Sequence, residues 1–385
     1  MPISSILPPE SDAALEKLVD LVIASGPVGT LTDKYFSHTK RIVESNGGKT
    51  QVVYAVFLRR RIVAALEPTI RLIKRLVPDA EIVRFFKEGE IVPSEKKLIE
   101  IRGSFAALSE CETLILQKVG FPCVCASNAY EMCRALPHAA FIDMHARHAA
   151  GAETNLLAAY GAAVGSAAAK RENGDVRGFI GSSQDLTAPF YGLKTGVGTM
   201  PHSLIGYTGG DAVEALRRFV EVVPEVTNLT ALVDYSGREI TDSLACARWF
   251  YETAKLHEQG KVFAVRLDTH GGRFAEGLDY EKSVEEVGRW LDIEGEYNIV
   301  ESVLGGRAVQ LDAGNILVDR VRRILFGSGV SVASIIHTRH ALDEAGFTDA
   351  RIVASSSNHS IETPSRFSGP RGEVNPRCVR STTWF

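Results

Sequence analysis

The chain has 385 residues, more than one compact core usually serves, so two domains or one large barrel with an appendage are expected. Its hydrophobic content of 45%, charged content of 23% and formal net charge of −4 are ordinary for a globular protein and exclude the strongly basic surface that nucleic acid selects. No apolar run approaches the roughly 18 residues of a membrane span, and the first residues do not resemble a signal peptide. We therefore expect a cytoplasmic protein that binds neither nucleic acid nor membrane.

The first part of the chain predicts an N-terminal α+β domain over residues 1–138. Apolar residues recur at helical spacing in three segments, and β-rich runs lie between them. The expected helices are DAALEKLVDLVIAS at 12–25, EPTIRLIKRLVP at 67–78 and ALSECETLILQKVG at 107–120, and the expected strands are TQVVYAVFLRR at 50–60 and two short strands around the Pro-Ser turn of 85–105.

From residue 139 onward the pattern changes to short apolar runs, each ending in a polar or Gly-rich tip that precedes a helix. The runs are AAFIDMHARH (139–148), VRGFIGSSQD (176–185), GVGTMPHSL (196–204), NLTALVDYSG (228–237), VFAVRLDTHGG (262–272) and ARIVASSSN (350–358). This repeat is typical of a parallel β/α barrel or a doubly wound sheet, in which chemistry lies at the carboxyl ends of the strands. We predict an α/β fold: an irregular, incomplete β/α barrel over 139–357, followed by an irregular tail over 358–385.

Two of the tips carry glycine beside a hydroxyl. Ser182 and Ser183 end one run and Thr199 lies in another, and backbone N–H groups and hydroxyls at such tips can hold an anion. Each tip taken alone is more typical of a simple turn. The sequence therefore makes them candidates for phosphate binding without deciding the matter.

Charged tips follow two later runs. Arg266, Asp268 and Thr269 end one of them, and an arginine beside an aspartate suits a carboxylate ligand and the hydroxyls of a sugar, although a structural ion pair is the alternative. Asp234 ends the preceding run, where it could instead cap the next helix.

Histidines occur at two tips. His145 and His148 flank Arg147, but the spacing offers no third ligand for zinc, so we expect no metal site and take Arg147 as an anion-binding candidate. His202 alone is as typical of a structural corner as of a working group. Together, the arginines, aspartates, histidine and hydroxyls on successive tips favour a site for a phosphorylated sugar and a small acid.

Several motifs occur in an order that resembles the nicotinate phosphoribosyltransferases, type II phosphoribosyltransferases grouped with nicotinamide and quinolinate enzymes. The resemblance covers roughly residues 30 to 357. Its motifs are LTDKYF, FKEGEIVPSEKKLIEIRG, ECETLILQKVG, GSSQDLTAPFYGLKTGVGTMPHSL, ALVDYSG, VRLDTHGG and RIVASSS. The Gly-Thr-x-x-His element after a Gly-Ser-Ser strand end is the most specific of them.

The resemblance implies an enzyme of NAD biosynthesis and salvage. It would transfer phosphoribose from 5-phosphoribosyl 1-diphosphate to nicotinate, giving nicotinate mononucleotide and diphosphate, with Mg²⁺ and with ATP as co-substrate hydrolysed through a phosphohistidine. It also implies a homodimer whose active site is shared between subunits.

Site residues carry over from the family motifs one by one. His202 matches the phosphohistidine, and Tyr35 matches the tyrosine that stacks on the pyridine ring in the partner subunit's site. Arg266 matches the arginine beside the carboxyl group of the ring. Further substrate contacts are implied for Asp234 and Asp268 near ribose and diphosphate, Arg147 at a phosphate, Ser182, Ser183, Thr199 and Thr269 at the mouth, and Ser355 and Ser356 at the 5-phosphate.

Two alternatives stay open. The amide-using relatives carry an aspartate where this chain has Ser183, and an aspartate would repel a carboxylate, so nicotinate is favoured over nicotinamide. The family's Gly-Thr-Gly phosphate loop does not follow RIVASSS, which leaves a folded but weakly active or inactive relative as the other alternative. An aldolase-like barrel would need a strand-borne lysine, and the tips offer none.

Overall fold

A computed structural model describes residues 6–135, 137, 140–267, 276, 296–297, 309–310 and 332–354. The helices are α1 Ser11–Ala24, α2 Val28–Leu31, α3 Lys34–Ser45, α4 Glu67–Leu76, α5 Phe105–Leu108, α6 Glu112–Ala135, α7 Ala152–Glu172, α8 His202–Tyr207, α9 Ala212–Val222, α10 Glu239–Arg248 and α11 Val332–Glu344. The strands are β1 Gln51–Phe57, β2 Ile62–Val63, β3 Glu81–Arg84, β4 Ile91–Val92, β5 Lys97–Ser104, β6 Ala140–Asp143, β7 Gly178–Ser182, β8 Asn228–Leu232, β9 Val262–Leu267, β10 Glu296–Tyr297, β11 Val309–Gln310 and β12 Arg351–Ala354.

The N-terminal part combines helices with an antiparallel sheet in the order β1-β5-β3. The central strand β5 buries Leu98, Ile99 and Ile101 completely, and all three belong to the apolar core that also contains residues of α1, α4, α6 and α7. The predicted pair of short strands around the Pro-Ser turn is present as β4 and β5. The mixed helix and strand character expected for this part of the chain is confirmed.

Helices α6 and α7 pack backbone to backbone. A Cβ on Gly165 would lie 2.0 Å from the carbonyl oxygen of Ala126, and one on Gly161 would lie 2.5 Å from that of Pro122. Glycine is required at both contacts, because any side chain would force the helices apart. The apolar core that includes this contact extends from Leu7 to Phe190, so it spans the predicted boundary at residue 138, which stays a prediction.

Parallel pairing joins β6, β7, β8, β9 and β12, whereas β10 and β11 pair antiparallel. β6 pairs with β7, and β12, β9 and β8 form a second parallel sheet in that order. A separate apolar core, which runs from Met200 to Ile352, covers this second sheet. The α/β fold class is confirmed, and the parallel strands among the described residues form two open sheets rather than a closed barrel.

One predicted strand is wrong. Residues 196–201 have no regular structure, and α8 begins directly after them at His202. Gly196 lies so close to the 183–184 backbone that a Cβ there would be 2.8 Å from the amide nitrogen of Gln184, and Pro201 has no N–H to donate to a neighbouring strand. The segment is therefore a tight connection.

In the part of the chain that the structure describes, every helix is too short or too polar to span a bilayer.

Candidate active site

The carboxyl ends of β8 and β9 bring two charged residues into a buried setting. Arg266, the penultimate residue of β9, is 7% exposed, and Asp234, two residues beyond β8, is 1% exposed. The parallel register pairs Leu232 with Arg266, and the amide of Val233 donates to the carbonyl oxygen of Arg266 at 3.4 Å. Both residues therefore lie at the same end of the sheet, as the alternation of apolar strand and polar tip predicted.

His202 and Asp234 form a hydrogen-bonded pair. Nε2 of His202 lies 3.0 Å and 3.2 Å from the two carboxylate oxygens of Asp234. A carboxylate only accepts hydrogen bonds, so Nε2 carries the proton and Nδ1 carries the lone pair. The imidazole is 41% exposed whereas the Asp234 side chain is 1% exposed. A buried carboxylate thus orients a solvent-facing imidazole, an arrangement that suits a nucleophile or a proton carrier.

Thr199 and Arg266 form a second contact at this site. Nη1 of Arg266 donates to Oγ1 of Thr199 at 2.5 Å. Upstream, the amide of Val197 donates to the carbonyl oxygen of Ser182 at 2.6 Å, and the amide of Gly196 donates to the Asp185 carboxylate at 2.8 Å. The connection from 196 to 202 is thereby held at the ends of β7, β8 and β9.

The hydroxyl residues at the end of β7 differ in their surroundings. Oγ of Ser182 is buried and lies 2.5 Å from Oγ1 of Thr187, so it stabilises the turn. Ser183 is half-buried, and its amide donates to the carbonyl oxygen of Asp143 at 2.9 Å. Of the two, Ser183 is the better placed to meet a ligand.

Arg147 lies on the 3-10 turn His145–His148, directly after β6. Its side chain is exposed, and its Nε donates to Nε2 of His148 at 3.3 Å. Burial lowers the pKa of both histidines, and the Arg147 charge lowers that of His148 further. The turn therefore offers a cation beside neutral imidazoles.

In the described part of the chain, no group of three His, Cys, Asp or Glu residues could hold a metal ion.

Tyr35 lies apart from these residues. It is on α3, 60% exposed, and its hydroxyl donates to the Asp33 carboxylate at 3.3 Å. Within the described residues of one chain, no hydrogen bond, ion pair or ring contact joins Tyr35 to the His202–Asp234 pair. Four further predicted residues, Asp268, Thr269, Ser355 and Ser356, lie outside the described residues.

Sequence reasoning missed two residues of this region, Asp143 and its hydrogen-bond partner Tyr191. Asp143, at the end of β6, is 3% exposed, and its carboxylate accepts hydrogen bonds from the His145 amide and the Tyr191 hydroxyl. Burial raises the pKa of Asp143. An aspartate that ends an apolar run was a visible signal for it, whereas nothing in the sequence pairs it with a tyrosine 48 residues away.

No protein-family model and no curated protein matches the chain. Among solved structures, nicotinate-nucleotide pyrophosphorylase from Pyrococcus furiosus matches with a TM-score of 0.55 and 25% identity, over 87% of this chain and 73% of that one. Human nicotinic acid phosphoribosyltransferase matches with a TM-score of 0.49 and 16% identity, over 84% and 73% of the two chains. The resemblance to type II phosphoribosyltransferases is confirmed at the level of the fold by the Pyrococcus match.

Proposed function

We propose that the chain is a phosphoribosyltransferase of NAD metabolism that joins phosphoribose from 5-phosphoribosyl 1-diphosphate to nicotinate. The observation that carries the proposal is the pairing of a half-exposed His202 with the buried Asp234 at the end of a parallel sheet, next to Arg266 and Thr199. The Pyrococcus structure, which is named for nicotinate nucleotide and pyrophosphate, supports the same reaction class.

The transfer step needs charges of both signs. As diphosphate leaves, the sugar becomes an oxocarbenium-like cation, so cations must hold the leaving group and a carboxylate must lie near the sugar. Arg147 supplies an exposed cation for a phosphate. Asp268 is the proposed carboxylate at the sugar, because the Asp234 carboxylate already contacts His202.

His202 takes part in a second, coupled reaction in this proposal. Its Nδ1 lone pair attacks the γ-phosphorus of ATP, the bond to the bridging oxygen breaks and ADP leaves. The proton on Nε2 stays hydrogen-bonded to Asp234, which stabilises the charged ring. The phosphohistidine then adds negative charge beside the diphosphate site, so its formation and hydrolysis change the affinity for substrate and product.

Mg²⁺ enters with the phosphates in this proposal. Magnesium is commonly held by one or two carboxylates together with substrate phosphates and water. In this proposal the ion is carried to the site by ATP and by 5-phosphoribosyl 1-diphosphate.

Substrate choice depends on Ser183 and Arg266. A guanidinium matches the planar carboxylate of nicotinate, and a serine hydroxyl can donate to it, whereas the aspartate of amide-using relatives would repel it. Nicotinamide is the competing acceptor, and quinolinate is a further one, so both belong in the same assay.

A second subunit completes the proposed site. Tyr35 would stack on the pyridine ring of the partner's substrate, and three exposed apolar side chains on α3 and β1 support a subunit interface there: Tyr35 at 60%, Ile42 at 62% and Val53 at 56% exposure. Helix α3 has no buried residue in the single chain, as expected for a helix that another subunit covers.

The test is a direct assay of the purified chain. Nicotinate, 5-phosphoribosyl 1-diphosphate and Mg²⁺ are supplied with and without ATP, and mononucleotide and ADP are measured. We expect nicotinate mononucleotide, more of it with ATP, and a loss of coupled ADP formation in His202→Ala. Absence of mononucleotide with every acceptor would refute the function, and ATP coupling that survives in His202→Ala would refute the role of His202.

A further inference from the structure

The carboxylate of Asp143 lies buried beneath the turn that carries Arg147. Oδ1 accepts a hydrogen bond from the backbone amide of His145 at 2.9 Å, and Oδ2 accepts one from the Tyr191 hydroxyl at 3.3 Å. Asp143 is only 3% exposed. Both carboxylate oxygens therefore accept hydrogen bonds from protein donors and are shielded from solvent.

The side chains of the turn do little to anchor it. Nε2 of His145 is buried without a hydrogen-bond partner among the described residues, and Nε of Arg147 donates only to the adjacent His148. Closing the turn, the amide of Ala149 donates to the carbonyl oxygen of His145 at 3.0 Å. The hydrogen bond from the His145 amide to Asp143 is thus the contact that ties the start of the turn to strand β6.

Asp143 also reaches the neighbouring strand end and α7. Its carbonyl oxygen accepts the amide of Ser183 at 2.9 Å, and the hydroxyl of Tyr191 lies 3.3 Å from the carbonyl oxygen of Ala159 on α7. The Ser183 tip is thus joined to β6 through the backbone at Asp143, while the Asp143 carboxylate links the start of the Arg147 turn to Tyr191, which in turn contacts α7.

The burial of this carboxylate is expensive. No ion pair of Asp143 occurs in the described part of the chain, and a buried carboxylate without a cation destabilises the folded state unless hydrogen bonds compensate. Packing alone would be better served by an apolar residue. We propose that Asp143 is a positioning residue that holds the Arg147 turn in the geometry that binds the phosphates of 5-phosphoribosyl 1-diphosphate, an inference that rests on the proposed function.

A double-mutant cycle on the full chain tests this role. Calorimetry measures the affinity for 5-phosphoribosyl 1-diphosphate with Mg²⁺ in wild type, Asp143→Ala, Arg147→Ala and the double variant. We expect each single substitution to weaken binding about tenfold, the scale on which a misplaced binding group loses affinity. In the Arg147→Ala background, Asp143→Ala should cost almost nothing more, because Asp143 acts through Arg147.

Two further variants separate positioning from general stability. Asp143→Asn keeps an oxygen for the His145 amide and should restore most of the affinity lost in Asp143→Ala. Glu88→Gln changes another buried carboxyl beside the same apolar core, one that makes no contact with the Arg147 turn, and should leave the affinity unchanged. Where Asp143→Ala does not fold, Tyr191→Phe takes its place in the cycle, with an expected loss of about twofold to threefold for one hydrogen bond to the carboxylate.

The outcomes distinguish this inference from the function on which it rests. If wild type binds and Arg147→Ala binds weakly, but the Asp143 or Tyr191 substitution has no effect or adds fully to that of Arg147→Ala, the positioning role is overturned alone. If wild type does not bind 5-phosphoribosyl 1-diphosphate at all, the proposed function and the positioning role fall together.

Discussion

Two buried carboxylates, one in each core, show what separates the structural part of the molecule from the part that can do chemistry. Glu88 in the N-terminal part is 7% exposed and Asp234 after β8 is 1% exposed. Glu88 accepts hydrogen bonds from the buried Leu66 amide at 2.8 Å and Tyr160 hydroxyl at 2.6 Å, and from Arg84, whose side chain is 25% exposed, at 2.9 Å. Asp234 instead contacts an imidazole that is 41% exposed.

The difference teaches that burial of a charge does not by itself mark a site. A buried carboxylate whose partners are buried or half-buried organises the interior, whereas one that contacts a titratable ring open to solvent orients a group that a ligand can reach. The first core holds Glu88 together with the close contact of α6 and α7, and the second presents its polar groups at strand ends. Each of the following predictions tests one side of this contrast.

The largest expected effect is that of Asp234→Asn. An amide can donate to Nε2, which stabilises the wrong tautomer of His202 and moves the lone pair away from Nδ1. We expect ATP hydrolysis coupled to nucleotide formation to fall by about a hundredfold or more, within the range of lost acid–base assistance. Glu88→Gln is the matched control and should keep wild-type rates. Similar losses of coupled ATP hydrolysis in both variants would show that the two buried carboxylates do not differ in role.

Gly165→Ala tests the structural side. A Cβ at this position would lie 2.0 Å from the Ala126 carbonyl oxygen, so α6 and α7 must separate, and we expect the free energy of unfolding to fall by about 2–3 kcal/mol. Urea denaturation measures it. Gly174→Ala, in an exposed turn with no heavy atom within 4 Å of the new Cβ, should change stability by less than about 0.5 kcal/mol. Equal effects of the two substitutions would contradict the close contact.

Ser183→Asp tests the proposed acceptor pocket. The new carboxylate should repel nicotinate and raise its KM about tenfold, a typical effect of like charges brought together at a binding site. Ser25→Asp adds the same charge at an exposed position directly after α1 and should leave the KM unchanged. Steady-state kinetics that are unaltered in Ser183→Asp would show that the pocket is elsewhere.

The smallest expected effect is a pH dependence of stability that comes from Glu88. Burial raises its pKa to about 7, against the lowering effect of the Tyr160 and Arg84 contacts. Because the pKa is higher in the folded state than in the unfolded chain, the stabilisation from the protonated form is complete below the unfolded pKa and is lost as pH rises through about 7. Between about pH 6 and about pH 8, we expect wild type to lose on the order of 1 kcal/mol relative to Glu88→Gln. Urea denaturation measures the free energy of unfolding at each pH. If it changed with pH equally in wild type and Glu88→Gln, Glu88 would not be the cause of the pH dependence.

Much of the candidate site could be predicted from the sequence because each strand carries its polar residue at its own end. The polar residues at the ends of the runs that form β8 and β9 identified Asp234 and Arg266, and the parallel sheet then placed them at one edge without further information. The segment 196–201 was wrongly predicted as a strand, because its apolar residues were visible while the close approach of Gly196 to the 183–184 backbone was not.

Contacts between distant segments were beyond sequence reasoning. The α6–α7 contact depends on Gly161 and Gly165, yet the apolar residues of α7 lie all around the helix, so their spacing does not single out the packed face. Asp143 was passed over beside the more conspicuous His145 and Arg147, since its partner Tyr191 lies in a segment with no pattern of its own. Periodicity identifies elements, but it does not identify which side chains cross between them.

The connection from 196 to 202 has a consequence for how this chain can vary in length. Surface loops usually accept insertions at small cost, because closing a slightly longer loop changes the entropy little. This connection is fastened at Val197 to the end of β7, at Thr199 to Arg266 and at His202 to Asp234. If one residue were inserted between Val197 and Thr199, these three hydrogen-bonded contacts could no longer form together. Insertions and deletions should therefore be confined to other turns, such as the one between α8 and α9.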